Sequence, residues 1–310
     1  MHHPLVSAHS APRGCGAMVR ELTILTVLGT AFISSGTPAA ATVPLEGARA
    51  VARPDKRSGA ETQALDHLLE RSGLRVQLAS LSAGVRVQFL RGRGRLSGQD
   101  RLTIDQIVSE RFAAEALYAR ISREFAPHLD AAKMAKALAW YDSPLGKRIT
   151  GLELAALVFD GGPRAVADLE NDRPSPRRLA LIERLDAGGG ASETTVDVTM
   201  AIVRSLTRAF QPALPAVRRL NPGQLEEELV RARNRTREQI RAACLVSMLL
   251  AYRTLSDREL EQYVQFVESE AGLWYMSVMN STLLIAVDVA ADAVAAELVT
   301  AVPQLVGDLR

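Results

Sequence analysis

Apolar residues return every three or four positions along most of the chain, the spacing of a helix face rather than the alternation of a strand. Leu65, Leu68 and Leu69 share one such face, with Ser58-Gly-Ala-Glu61 at capping-box spacing before them and Gly73 as a left-handed stop. Leu74, Leu78, Leu81 and Val85 predict a second helix; Val85 to Phe89 also alternates, but the helical period runs into it, so helix is the reading. Thr103-Ile-Asp-Gln106 is another capping box, predicting a helix behind it with Ile107, Ala114, Leu117, Ile121 and Phe125 on one face and Pro127 at its end. Asp130 is placed to cap the next helix, which carries Met134, Leu138 and Tyr141.

That helix leads into a corner. Trp140-Tyr141-Asp142-Ser143-Pro144-Leu145-Gly146 combines an apolar helix end, an N-capping Ser143, a Pro144 suited to the first helical position and a Gly146 small enough for a close approach. The pattern returns 126 residues later: Phe266, Glu268, Ser269 and Gly272 stand where Trp140, Asp142, Ser143 and Gly146 stood. Upstream, Leu181-Ile-Glu-Arg184 echoes Leu68-Leu-Glu-Arg71 at a separation of 113, each followed by Gly, so the second copy carries about 13 extra residues. Between the two lies Arg173-Pro-Ser-Pro-Arg-Arg178, which reads as a proline-stiffened basic linker. In the second part Val196 to Phe210 is helical by pattern, Asn221-Pro-Gly starts a long helix through Tyr252, and Ser256-Asp-Arg-Glu259 is a further capping box.

The fold class that follows is all-α: two tandem helical repeats of about five helices each, packed as a bundle. The expected layout is an N-terminal extension and signal at 1–41, a leader at 42–59, a first repeat at 60–170, a linker at 171–178 and a second repeat at 179–310. Apolar residues make up 47% of the sequence, enough for a core, and a net charge of +2 lacks the basic excess of a nucleic-acid binder.

The start of the chain changes the picture of where the protein works. Leu22 to Ile33 is apolar and uncharged, Arg20 precedes it, and Thr37-Pro-Ala-Ala-Ala41 follows. This is the outline of a secretory signal peptide, too short to span a bilayer, with cleavage near Ala41 and a periplasmic product. Residues 1–17 are unlike a signal's first region, so Met18 is the expected start. Cys15 is then lost, and Cys244, in an apolar helical run, is expected to be buried.

The chemistry on offer is sparse. His67 and His128 are the histidines that survive processing, and capping explains the Asp142-Ser143 corner without a nucleophile. Asp288 and Asp292 share a face, but two carboxylates are too few for a metal, and no cofactor is expected. Trp140, Tyr141, Trp274 and Tyr275 are the candidates for an apolar-ligand or interaction site between the repeats, unless they are core. Arg231, Arg235, Arg237 and Arg241 form a basic face beside Glu226 to Glu228, a solvated face or an anionic-surface contact.

The corner Tyr141-Asp142-Ser143-Pro144-Leu145-Gly146, with an apolar-aromatic helix before it and a helix behind it, resembles the hallmark of the bacterial domain of unknown function 2059 family. Leu74-Arg-Val-Gln-Leu-Ala-Ser-Leu81 is similar to the short helix that opens its members. In the second copy Glu270 replaces the proline and Val267 the tyrosine, a departure from the family's pattern. The resemblance implies exported helical proteins and brings no established activity or catalytic residue. The expected function is a non-enzymatic binding or protein-interaction module of the cell envelope, its partner an envelope protein or an apolar small molecule and not nucleic acid. The alternatives are a carrier of an apolar ligand or a peripheral membrane-binding protein, with a hydrolase using acidic residues behind both.

Overall fold

A computed structural model describes residues 59–91, 96–158, 169, 173–302 and 305. The signal-like start, the leader up to Ser58 and residues 171–172 of the expected linker lie outside the described residues. The chain is all-α, with no strand among the described residues. The first part holds α1 (Gly59–Arg71), α2 (Leu74–Leu90), α3 (Gly98–Arg111), α4 (Ala114–Phe125), α5 (Ala131–Asp142) and α6 (Pro144–Val158). The second holds α7 (Pro176–Gly189), α8 (Ala191–Phe210), α9 (Pro222–Ala251), α10 (Asp257–Val267) and α11 (Glu270–Ala301).

Local chemistry explains most of these boundaries. Among the described residues Gly73 and Gly190 are the two glycines with positive φ, at 76° and 67°, and each joins the first two helices of its part through a left-handed residue that other side chains resist. Asp130 caps α5 by accepting from the Ala132 and Lys133 amides, and Ser256 caps α10 in a full capping box with Glu259. Asn221 and Gln224 make the same box at the start of α9.

Three expectations need correction. The helix before Ile107 starts not at Thr103 but at Gly98, where the Ser97 hydroxyl accepts from the Asp100 amide at 3.0 Å; Thr103 lies inside α3 and donates back to the Gln99 carbonyl. The run from Ile107 to Phe125 is two helices, broken at Phe112 and Ala113, where the buried Phe112 leaves the face and its carbonyl accepts the Ser82 hydroxyl of α2. The linker at 171–178 is shorter than expected: Ser175 caps α7, Pro176 is its first residue, and Arg178 belongs to the folded body.

The two parts share one core. Helix α11 packs on α8 and α10 of its own part and on α3, α4 and α5 of the first, while α6 packs on α9. Helix α8 is almost wholly buried, and three of its threonines are satisfied locally: Thr195, Thr199 and Thr207 donate to the carbonyls four residues before them. Cys244 is buried beside Thr195, and burial pushes its thiol up to about 11, so it stays protonated and inert.

Candidate functional site

The two corners are built alike. Ser143 and Ser269 have the same extended backbone, and each hydroxyl accepts an amide three residues on, from Gly146 at 2.9 Å and Gly272 at 3.1 Å. Each serine amide donates back three residues at 3.0 Å, to Trp140 or Phe266. A Cβ on Gly146 would lie 2.1 Å from the Trp140 carbonyl oxygen, and one on Gly272 2.1 Å from that of Phe266. The glycine is required because the second helix starts against the last carbonyls of the first.

The corner acids are held alike too. Asp142 is paired with Arg71 at 3.1 Å, and Glu268 takes both arms of Arg184 at 2.7 and 3.0 Å. These are the two arginines of the 113-residue echo, so α1 sits on α5 as α7 sits on α10. Every polar side chain of the Asp-Ser corner is thereby engaged in capping or ion pairing.

The corners also face each other. Trp140 stacks on Phe266 with centroids 4.6 Å apart and planes 8° apart, although these residues are equivalent under the 126-residue shift. The Arg148 guanidinium donates to the Thr254 carbonyl at 2.8 Å, and the Trp274 indole donates to the His128 carbonyl at 3.0 Å. Shifting the first contact by 126 residues in each direction gives the second. Residues equivalent in the two parts thus contact each other reciprocally.

Trp140, Tyr141, Trp274 and Tyr275 are brought together by this arrangement, in a continuous series of ring contacts. The series runs from Tyr252 through Tyr263, Trp140, Phe266, Tyr141, Tyr275 and Phe125 to Trp274. Tyr141 and Tyr275 are buried; Trp140 and Trp274 are half-buried. The rings fill the space between the two parts with one another.

At one end of this series sits a group that the sequence reading passed over. Glu153 of α6 is buried, and one of its oxygens accepts the hydroxyls of Tyr252 at 2.7 Å and Tyr263 at 2.8 Å. Burial pushes its carboxyl up from 4.5 to about 7, against the opposing pull of the two hydroxyls. Burial and the nearby carboxylate likewise hold the Tyr252 phenol well above its ordinary range. The signal was present: Glu153 lies one turn beyond Ile149, amid the inward Leu145, Ile149, Leu152 and Ala156, so the sequence sets an acid on an apolar stripe. Arg178 secures the tyrosine segment from outside, donating to the Tyr252 and Leu255 carbonyls and to Asp257.

The remaining candidates lie elsewhere. Arg231 pairs with Glu227 and Glu228, and Arg237 with Glu193 of α8, which lowers the charge of the basic face; Arg235 and Arg241 are exposed beside them. Asp288 pairs with Arg204, and Asp292 accepts the Ser205 hydroxyl, so both carboxylates fasten α11 to α8. Among the described residues no group of three metal-ligating side chains is assembled, and no helix is long and apolar enough to cross a membrane.

Residues 115–158 match the family model described as an uncharacterized protein conserved in bacteria, domain of unknown function 2059. Over this stretch the chain is similar to that family. The matched stretch covers α4, α5 and α6, and it supplies Phe125, His128, Trp140, Tyr141, Arg148 and Glu153 to the junction. Neither a curated protein nor a solved structure matches the chain.

Proposed function

We propose that the protein is an exported, non-enzymatic interaction module of the cell envelope, built from two copies of one helical corner unit that pair face to face. The observation that carries the reading is reciprocity. Trp140 meets its own equivalent, Phe266, and the Arg148 to Thr254 contact is returned by Trp274 to His128. Contacts of i with j matched by j with i are the signature of a two-fold interface. A corner whose polar groups are spent on caps, ion pairs and such a face is a device for association. The apolar run Leu22 to Ile33 with Ala39-Ala40-Ala41 behind it supports export.

Native mass spectrometry of the chain released from the periplasm of an expressing bacterium tests this. The expected product begins near Thr42 and carries no small molecule. A fixed added mass that is lost on denaturation would replace the reading with that of an apolar-ligand carrier. An unprocessed chain confined to the cytoplasm would overturn export.

A further inference from the structure

We infer that Glu153 is the residue that fixes which partner the first corner unit accepts: a unit presenting two phenols, and not a second copy of itself. The inference rests on the reading that the two parts are paired copies.

The junction differs from its own reflection. Under the 126-residue shift Glu153 corresponds to Met279, Tyr252 to Ala126 and Tyr263 to Ala137. Arg148 corresponds to Trp274, and its partner Glu259 corresponds to Lys133. The side-chain contacts to carbonyls are reciprocal, while the carboxylate contacts of Glu153 and Glu259 run one way only.

Three pairings are conceivable for such units, and they differ in what they leave unsatisfied. When the first unit meets the second, Glu153 takes both hydroxyls and Arg148 takes Glu259. When the first unit meets another first unit, the same reciprocity sets Glu153 against Ala126 and Ala137, which offer no side-chain donor, and sets Arg148 against Lys133, a like charge. A carboxylate buried without donors is strongly destabilising. When the second unit meets another second unit, Met279 faces the two phenols and leaves their hydroxyls without an acceptor. Only the mixed pair satisfies every group. Partner choice thus comes from penalties on the wrong pairs as much as from gains in the right one.

The test uses the whole folded chain with a protease site inserted after residue 165, cut after folding so that the two parts can exchange. Isotope-labelled and unlabelled preparations are mixed, and native mass spectrometry counts mixed and like-with-like pairs. The cut wild type is expected to keep mixed pairs only. Glu153→Met, which installs the residue of the equivalent position, is expected to raise the fraction of first-with-first pairs at least tenfold at equal concentration. The double substitution Tyr252→Phe with Tyr263→Phe should do the same from the other side, and it serves if Glu153→Met loses its helical circular dichroism. Unchanged pairing in both variants, or like-with-like pairs already abundant in the cut wild type, would overturn the inference and leave the paired copies standing. Parts that separate on cutting would overturn the paired-copy reading together with it.

Discussion

The corner at Ser143 and the corner at Ser269 make the same backbone hydrogen bonds around very different side chains. Both need a capping hydroxyl and a glycine three residues on, and both hold an acid against an arginine from the first helix of their own part. Proline at 144 and Glu at 270, tyrosine at 141 and Val at 267, are exchanged without altering the turn. Beyond the corner the two diverge: the first carries Glu153 and Arg148 into the junction, and the second carries Trp274 and Met279 at those positions. Geometry is set by a few backbone-facing atoms, and the remaining positions are free to make each face distinct.

The sharpest way to break that equivalence is at the glycines. A methyl group 2.1 Å from a carbonyl oxygen forces the backbone itself to move, at either corner. Gly146→Ala and Gly272→Ala are each expected to cost about 3 kcal/mol, at the upper end of overpacking substitutions. Gly151→Ala, where nothing lies within 4 Å in the middle of α6, is the control and should stabilise by ~0.5 kcal/mol. Urea unfolding reads all three. A tolerated Gly272→Ala beside a damaging Gly146→Ala would show that the two corners are not equivalent.

The second test bears on what the corners do not share. The Glu153 carboxyl holds its proton to about pH 7 in the folded chain and to about 4.5 when unfolded. Between those values the folded state binds the extra proton, so this group's contribution is greatest below pH 4.5 and falls as pH rises through 7. At about 1.4 kcal/mol per unit the loss is about 3 kcal/mol. Glu153→Gln should remove that slope, so that the difference in stability between variant and wild type grows from pH 4.5 to 7 and then levels. A difference independent of pH would mean that the carboxylate is solvated. The Asp130, Glu259 and Glu268 carboxyls are held below their ordinary range, by the Lys133 amide, the Ser256 amide and the Arg184 guanidinium respectively. They act in the opposite direction, and the subtraction cancels them.

The caps come next in size. Ser143→Ala and Ser269→Ala each free a buried or half-buried amide and should cost ~1 kcal/mol. Equal losses by thermal or urea unfolding support equivalent corners. A loss at Ser143 alone would assign the capping duty at the second corner to other groups.

How far the sequence exposes all this depends on the range of the interaction. Caps, left-handed glycines and the corner are local, and Asp130, Ser143, Gly73, Asn221 and Ser256 are legible from their neighbours along the chain. Thr103 misleads because a capping box is only a spacing; Ser97, with Asp100 three residues on, competes for the same helix start and wins. The break at Phe112 depends on Ser82 of another helix, which no local pattern reports. The aromatic four are visible as a group, but whether rings line a cleft or fill it depends on Phe125, Tyr263 and Phe266 arriving from elsewhere. Glu153 is visible as an acid on an apolar stripe; its meaning is not, because its partners lie about a hundred residues away.

The smallest expected effect concerns the corner acids, and it sharpens the comparison most finely. Arg184 grips Glu268 with two nitrogens, at 3.0 and 2.7 Å, and reaches Glu261 with a third. Arg71 approaches Asp142 with one nitrogen at 3.1 Å, and that same nitrogen also serves His67. Two-pronged carboxylate contacts hold their geometry better than single ones, but all four side chains are more than a third exposed, so solvent and salt screen both pairs. A double-mutant cycle on Arg184 and Glu268 should give a coupling of at most ~1 kcal/mol. The cycle on Arg71 and Asp142 should give less, and both should shrink as salt rises from 0.05 to 0.5 M, roughly as the Debye length shortens. Arg184→Lys should lose most of the coupling, since an ammonium cannot span both oxygens, whereas Arg71→Lys should lose little. Equal couplings at the two corners would mean that the fork is no stronger than the single contact. The divergence between the units would then lie wholly in the junction, at Glu153 and the two tyrosines.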